Sequence, residues 1–559
     1  MSAETKIESR DPLKKETENH RGWRFWAIFA ALCVTALLSS VEATVVSTAL
    51  STIVQDLKIG DSYPWVVNSF LLTSTAFQPI FGQLADLFGR RWLTISAVAL
   101  FTLGSGISGG AYNGSMLIAG RTIQGIGGGG INLLIDLIIC DLVPLRERPK
   151  FMGIVAIIFA IGTSMGPFIG GALAQHSTWR WVFYINLPIG GTAMVLLFAF
   201  LHVNYRKRTF QETLKQFDII GSSLVIASTI AVLFALTYGG ARYPWSSWHI
   251  IVPLVLGLVG VIAFHIFEAS SLVNNPLMPP HLFGNRTSVV AFFVTFVQAL
   301  LFVWVIYFLP LYFQAVLESS QTRSGVQLLP TVTVMVPFAL VGAGFLEKTG
   351  RYRPVHFAGL ALMAVGIGLF ALLKADSSTG MWTGLQILQT AGVGLLATSL
   401  LPAVQAPLSD KDNATSTAAW SYIRSYGAVW GITLPVTVFN NEFDKHLDWI
   451  SNPQIRQLLS NGNAYSHGSR EFISSLPEST RNEVVSVFIQ SLRITWIVGA
   501  AIAAGTFVLV FLEKEIKLRD QLDTEYGIKD ESPKAKQGND LELGAEEPTT
   551  NINGVHGSA

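Results

Sequence analysis

Fourteen stretches of the chain each hold about 20 mostly apolar residues, the length a helix needs to cross roughly 30 Å of hydrocarbon. A bilayer core offers no water to backbone N–H and C=O groups, so segments of this length must satisfy them internally as helices. The stretches begin near residue 25 and end near residue 512 of 559. The expected fold class is therefore all-α and integral to the membrane, with 14 transmembrane helices. Composition points the same way: 13% of residues are charged, against roughly 25% in soluble domains. The first 22 residues are too polar for the apolar core of a signal peptide, and the stretch that follows lacks a small-residue cleavage site, so it reads as a retained first span.

Charge excludes other classes. Lys plus Arg number 38 and Asp plus Glu 37, which removes the basic excess of a nucleic-acid binder. Cys33 and Cys140 both lie in apolar runs. They form no disulfide scaffold and have no neighbours at metal-ligand spacing, so no metal and no cofactor is expected.

Basic short loops tend to stay cytoplasmic. With the N-terminus inside, the inner loops carry "GRR" (89–91), "RERPK" (146–150), "NYRKR" (204–208) and "EKTGRYR" (347–353). That places about 14 Lys and Arg in inner short loops and about 5 in outer ones, with both termini cytoplasmic. The exception to short loops is 440–490, outside, where Trp449, Phe472 and Leu476 suggest short amphipathic surface helices. Beyond about residue 520 the tail has the low hydrophobicity of disorder.

The chain also repeats itself. "GQLADLFGRR" (82–91) follows span 2, and "GAGFLEKTGRYR" (342–353) follows span 10 in the same Gly, acidic, Gly, Arg order. The offset is eight spans, so spans 1–6 and 9–14 form two six-helix bundles with spans 7 and 8 inserted as linker helices. The divisions are then a cytoplasmic tail (1–24), a first bundle (25–202), a linker region with its flanking loops (203–287), a second bundle (288–512) containing the outer loop 440–490, and a cytoplasmic, largely disordered tail (513–559). Parallel repeats with a substrate site at their interface near the midplane belong to secondary transporters.

Five segments in order carry a family resemblance: "VEATVVSTALSTI" (41–53), "GQLADLFGRR", "RTIQGIGGGG" (121–130), "GTSMGPFIGG" (162–171) and "WRWVFYINLPIG" (179–190). Together they resemble the major facilitator superfamily, in its fourteen-span drug:proton antiporter family, and most of all the fungal efflux pumps for mycotoxins and other secondary metabolites. The second half follows in hydropathy and in "YFLPLYFQAV" (307–316) and "SGVQLLP" (324–330). Two departures lie in span 1, where the family's usual aspartate and proline are replaced by Glu42 and Ser51.

The resemblance implies that Gly82, Asp86, Gly89, Arg90 and Arg91 form a cytoplasmic gate, a charge lock holding one access state; the plainer reading is a topology anchor. Asp86 precedes Arg90 by one helical turn and can pair with it. Gly162, Gly166 and Gly170, with Pro167 and Gly171 beside them, fall on one helix face where small residues let membrane helices approach closely. The family reading of that stripe is a bias towards antiport, the plainer one packing alone.

Ionisable groups at bilayer depth cost several kcal/mol unless paired or watered. Glu42 lies about 24 Å above Trp26, and Arg121 about 9 Å below the outer end of span 4. They sit at comparable depth, and the resemblance makes both line the central cavity as proton-coupling candidates; the alternative is a structural ion pair. Asp136 and Asp141 fall near the cytoplasmic rim, where pairing with Arg146 or Arg148 is expected. Asp218 reads as a helix cap. Arg424 has no acid within a turn of its own helix, and snorkelling to the inner interface is open to it. A mostly apolar cavity with a few polar anchors draws its candidates from Gln298, Trp304, Tyr307, Gln386, Gln389 and Trp430, although ordinary helix packing or an interfacial aromatic is the favoured reading of each.

An enzyme is not expected, since no zinc-ligand pair on a helix and no nucleophile elbow is found. The lack of a Walker loop excludes a self-contained ATP-driven pump. The expected function is proton-coupled export of a small amphipathic organic compound by a monomer, with protons and the lipid bilayer as its other partners, in the plasma membrane or else a vacuolar or vesicle membrane. A proton-coupled importer of siderophores or nutrients is the runner-up, and a non-transporting sensor comes after it.

Overall fold

The computed structural model describes residues 22–59, 64–203, 217–239, 243–270, 272–273, 275–460 and 462–519. Among them the chain is all-α, with one isolated bridge, Gly239 to Tyr243. Among the described residues, eleven helical segments are long and apolar enough to cross a membrane. Three further long helices, Pro64–Phe88, Arg148–His176 and Asn413–Lys445, occupy the expected positions of spans 2, 5 and 13 but fall outside that set.

The first group comprises α1 (Trp23–Asp56), α2 (Pro64–Phe88), α3 (Arg90–Gly109), α4 (Gly114–Leu142), α5 (Arg148–His176), the single turn α6 (Trp181–Tyr184) and α7 (Asn186–Phe200). They pack on one another, α1 chiefly against α5 and α4 against α2 and α3. The linker helices α8 (Ile219–Tyr238) and α9 (Trp248–Glu268) pair together, and α8 leans on α2. The second group holds α10 (Arg286–Ala315), α11 (Gln321–Thr333), α12 (Met335–Thr349), α13 (Arg353–Phe370), α14 (Thr379–Ala397), α15 (Leu400–Gln405), α16 (Asn413–Lys445) and, after the short α17 (Pro453–Leu459) and α18 (Arg470–Ser475), the long α19 (Glu478–Leu509).

Local chemistry explains several helix starts. Asn113 accepts from Met116 N at 2.8 Å to open α4, and Asp218 accepts from Gly221 N at 2.8 Å to open α8, so the expected cap is present. Helix packing in α4 relies on missing side chains: Gly125 lies against Phe70 of α2, Gly127 against Phe101 of α3 and Gly129 against Ser74 of α2. With no Cβ in the way, backbones approach more closely than any other residue allows.

The two repeated turns share one backbone device. Gly89 has φ +80° and Gly350 φ +67°, a region that L side chains rarely adopt and glycine enters freely. Both turns lie on the same face of the molecule, called the basic face below. There α2 packs on α16 and α12 packs on α5. In the repeat numbering these are spans 2 on 13 and 10 on 5, the same contact made twice.

Three boundaries differ from expectation. The segment expected outside at 440–490 is shorter, because α16 continues to Lys445 and α19 begins at Glu478. The tail assigned from 513 keeps order to Arg519: its backbone runs extended, with Lys514 N donating to Thr287 Oγ1 at 3.1 Å and Leu518 N to Gly350 O at 3.2 Å. The tail 1–21, the loop 204–216 with "NYRKR", and 520–559 lie outside the described residues.

Candidate functional site

Two polar clusters are enclosed within the helices. The first sits between α1, α4 and α7. Glu42 and Arg121, expected only to share depth and water, are in direct contact through Glu42 Oε1 and Arg121 Nη1, with both side chains buried. The same Nη1 donates to Gln124 Oε1 at 2.7 Å, Arg121 Nε donates to Val66 O at 2.9 Å, and the guanidinium lies 4.5 Å from the Phe70 ring centroid. Asn186 Nδ2 donates to Glu42 Oε2 at 2.6 Å. Gln124 is held in turn by donating to Ser105 Oγ at 2.7 Å. A buried pair this fully bonded is costly to break on one side only. Removing or adding one proton at the carboxylate changes the charge of an enclosed cluster that bridges three helices. Asn186 and Gln124 were not singled out in the sequence, though both stand inside quoted motifs.

The second cluster lies on the basic face. Asp86 pairs with Arg90 at 2.9 Å, as the one-turn spacing suggests. Arg90 is itself buried, donating from Nε to Asp141 Oδ2 at 2.7 Å and from Nη1 to Ala85 O at 2.6 Å. These charges all belong to the first group. Gly82 is the member of the motif that meets the second group, with Ala418 of α16 against its Cα. Arg91 turns away from both clusters, donating to Phe198 O at 2.7 Å between the Trp92 and Phe198 rings.

Hydrogen bonds between the two groups come from the "RERPK" stretch, whose charge marked it as a cytoplasmic loop and whose arginines were expected to pair with Asp136 and Asp141. Arg148 is wholly buried and donates from Nη1 to Gln405 Oε1 at 2.5 Å and to Asn413 Oδ1 at 3.2 Å, while Nε and Nη2 bind the first group's own carbonyls at Val143 and Cys140. Arg146 donates to Glu347 O at 2.6 Å and Lys348 O at 2.8 Å, and Lys150 faces Glu347 at 3.5 Å. Arg519 completes a strap: its side chain donates to Leu408 O and Asp410 Oδ1, and its carbonyl accepts from Arg146 N at 3.2 Å. Among the described residues, the direct polar contacts joining the two groups gather towards this face, which is closed.

Other expected partners are corrected. Asp141 pairs with Arg90, and Asp136 faces Arg424 of α16 at 3.8 Å, neither of them using Arg146 or Arg148 as expected. Arg424 therefore points across to α4 and does not snorkel. Of the cavity candidates, Trp304, Gln386 and Gln389 are enclosed in the second group, Gln386 accepting from Thr331 Oγ1 at 2.8 Å, and Gln298 is buried; burial of a bundle's own core fills these positions. Tyr307 and Trp430 keep exposed surface. The glycine stripe of α5 faces α1: Gly162 lies against Ser40, and Gly166 against Thr44, whose Oγ1 donates to Thr163 O at 2.8 Å. Gly170 is buried on the same helix; the surroundings of Pro167 and Gly171 lie outside the described residues.

A family profile described as Major Facilitator Superfamily matches residues 32–432. The chain is 50% identical over 533 residues to the MFS-type transporter gkaD of Penicillium citrinum, covering 95% of this chain and 91% of that one. It is 45% identical to the MFS-type efflux pump LUC4 of a Fusarium species, covering 94% of each, and 43% identical to the efflux pump FUS6 of Gibberella fujikuroi, covering 94% and 95%. Among solved structures, the proton:xylose symporter XylE aligns with a TM-score of 0.56 at 12% identity, covering 89% of this chain and 99% of that one, a likeness of fold.

Proposed function

The chain belongs to the Major Facilitator Superfamily, and from that premise we propose that it is a fourteen-span transporter exporting a small amphipathic organic compound in exchange for protons. The observation that carries the coupling is the enclosed cluster of Glu42, Arg121, Gln124 and Asn186. It sits on three helices of one bundle, so its charge state bears on how that bundle packs. A carboxylate beside a guanidinium at bilayer depth is stabilised only while the pair is intact, and protonation of Glu42 weakens what holds it.

In this reading the basic face is cytoplasmic, by the loop-charge rule, and the closure by Arg148, Gln405 and Asn413 belongs to the state that faces outward. Export begins when those bonds open and the cavity between the bundles meets the cytoplasm. The names of the relatives, efflux pumps among them, support the direction. The membrane is taken to be the plasma membrane and the working unit a monomer.

The experiment is uptake of candidate metabolites into inverted vesicles with an imposed pH gradient. Accumulation that requires an acidic lumen and collapses with a protonophore is expected. Accumulation instead in right-side-out vesicles, driven by outside acid, reverses the direction and makes the protein an importer.

A further inference from the structure

The pair Asp136 and Arg424 joins the two bundles in a way unlike the rest of the closure. Arg424 lies about 16 Å along α16 from its start at Asn413, and Asp136 about 9 Å along α4 from its end at Leu142. Both are therefore deeper in the membrane than the basic-face bonds. On the basic-face side of the pair, Cys140, Gln405, Thr417, Ala418 and Trp420 are all buried and shut off that direction. Yet the Arg424 side chain remains 39% exposed. The exposure must come from the other side, so the guanidinium stands on the floor of the space between the bundles.

Its bonding is incomplete. The 3.8 Å separation from Asp136 Oδ2 is an ion pair without a hydrogen bond. Among the described residues no protein group accepts a hydrogen bond from Arg424, although guanidinium offers five donors in a fork that suits two-oxygen acceptors. Trp420 lies beneath it, 4.4 Å from centroid to Cζ, and holds the group from below. One turn above on α16 is Ala428, and one turn above Asp136 on α4 is Asn132, held by Ser39 Oγ at 2.9 Å; both are only part-buried, in contrast to the buried residues on the basic-face side. Arg121, by contrast, is buried and already committed to Glu42, Gln124 and the Val66 carbonyl.

We propose that Arg424 is the anchor for an anionic group of the transported compound, a carboxylate or a similarly delocalised acidic oxygen pair. Asp136 is the resident counter-ion: it neutralises the floor when the cavity is empty and competes with the arriving anion. The proposal rests on the transport reading in that the anion is the cargo. It narrows the substrate class to organic acids with an apolar body.

The test is binding of 1-pyrenebutyrate and of its methyl ester to the purified full-length protein in detergent, with no gradient, read by energy transfer from tryptophan to pyrene. The wild type should bind the acid about tenfold more tightly than the ester, the size of one charge-assisted hydrogen bond. Arg424→Gln should bring that ratio near one, Arg424→Lys should keep part of it, and Asp136→Asn should tighten the acid several-fold while leaving the ester unchanged. A wild-type ratio near one, or a ratio that survives Arg424→Gln, overturns the anchor. Should Arg424→Gln not fold, Asp136→Asn decides, and an unchanged acid affinity there overturns it. Loss of pH-driven export with the ratio intact refutes the export reading alone; a ratio of one with export intact refutes the anchor alone.

Discussion

Arg148 Nη1 donates to Gln405 Oε1 at 2.5 Å, placing a wholly buried cation of the first bundle in the grip of an amide of the second. Cys140 lies under the same bond network, its Sγ 3.8 Å from Gln405 Oε1. Hydrogen bonds to a charged group contribute about 1.5–3 kcal/mol each. Arg148→Ala, made together with Cys33→Ser, is therefore expected to raise the rate of Cys140 alkylation by about tenfold or more. An unchanged rate means that the closure is held elsewhere.

Asp141 and Asp86 both pair with Arg90, but only Asp141 is buried with it, Asp86 being 30% exposed. Asp141→Asn leaves a buried cation half-compensated and should destabilise the protein by about 3–5 kcal/mol. Asp86→Asn should cost less than about 1 kcal/mol while slowing transport severely at normal abundance. Melting curves in detergent and surface-normalised efflux separate the two; equal losses of stability contradict the assignment.

Glu42→Gln removes the titrating carboxylate while keeping one acceptor oxygen for Arg121, and the Asn186 amide, whose Oδ1 is buried without a partner, can turn to accept from the new Nε2. Substrate binding should persist and transport should lose its dependence on the pH gradient. Glu42→Asp, the acid usual in the resembled family, should retain much of the activity. Reconstituted vesicles with pH difference as the sole energy source provide the measurement, and concentrative transport by Glu42→Gln would make Glu42 structural.

Gly166→Leu drives a side chain into Thr44 and the Val41 carbonyl of α1. Overpacking of this kind costs about 1–3 kcal/mol, and α1 carries Glu42 on the same stretch. Lower thermal stability and reduced efflux are expected together. If neither changes, the stripe does not set the fit of α5 on α1.

Ending the chain after Leu512 deletes the strap, whereas ending it after Arg519 keeps the bonds to Asp410 and to Arg146 N. The shorter form should show faster Cys140 alkylation than the longer one, by several-fold. Equal rates for the two would mean that the strap rests on a face closed without it.

Much of the fold was legible because hydropathy acts over whole helices: long helices fill the expected apolar stretches, and the glycine turns at Gly89 and Gly350 recur where the repeated motif places them. Glu42 and Arg121 were legible for a similar reason, since charges at bilayer depth are few. Arg148 was not. Its "RERPK" context reads as an exposed basic loop, and only the arrival of Gln405 and Asn413, more than 250 residues away, buries it. Arg424 failed in the same manner, because its partner is on another helix and no spacing rule reaches between bundles.

The glycine positions of α4 also bear on the protein's history. Gly125, Gly127 and Gly129 each lie against the backbone of a neighbouring helix, so a random change there has nowhere to put even a methyl group. A lineage adapting to a new compound is thus steered away from the middle of its first bundle. On the proposed transport reading, tolerated variation is expected instead where α16 and α4 are only part-buried, around residues such as Ala428 and Asn132, where a substitution leaves the bundle beneath it as it was.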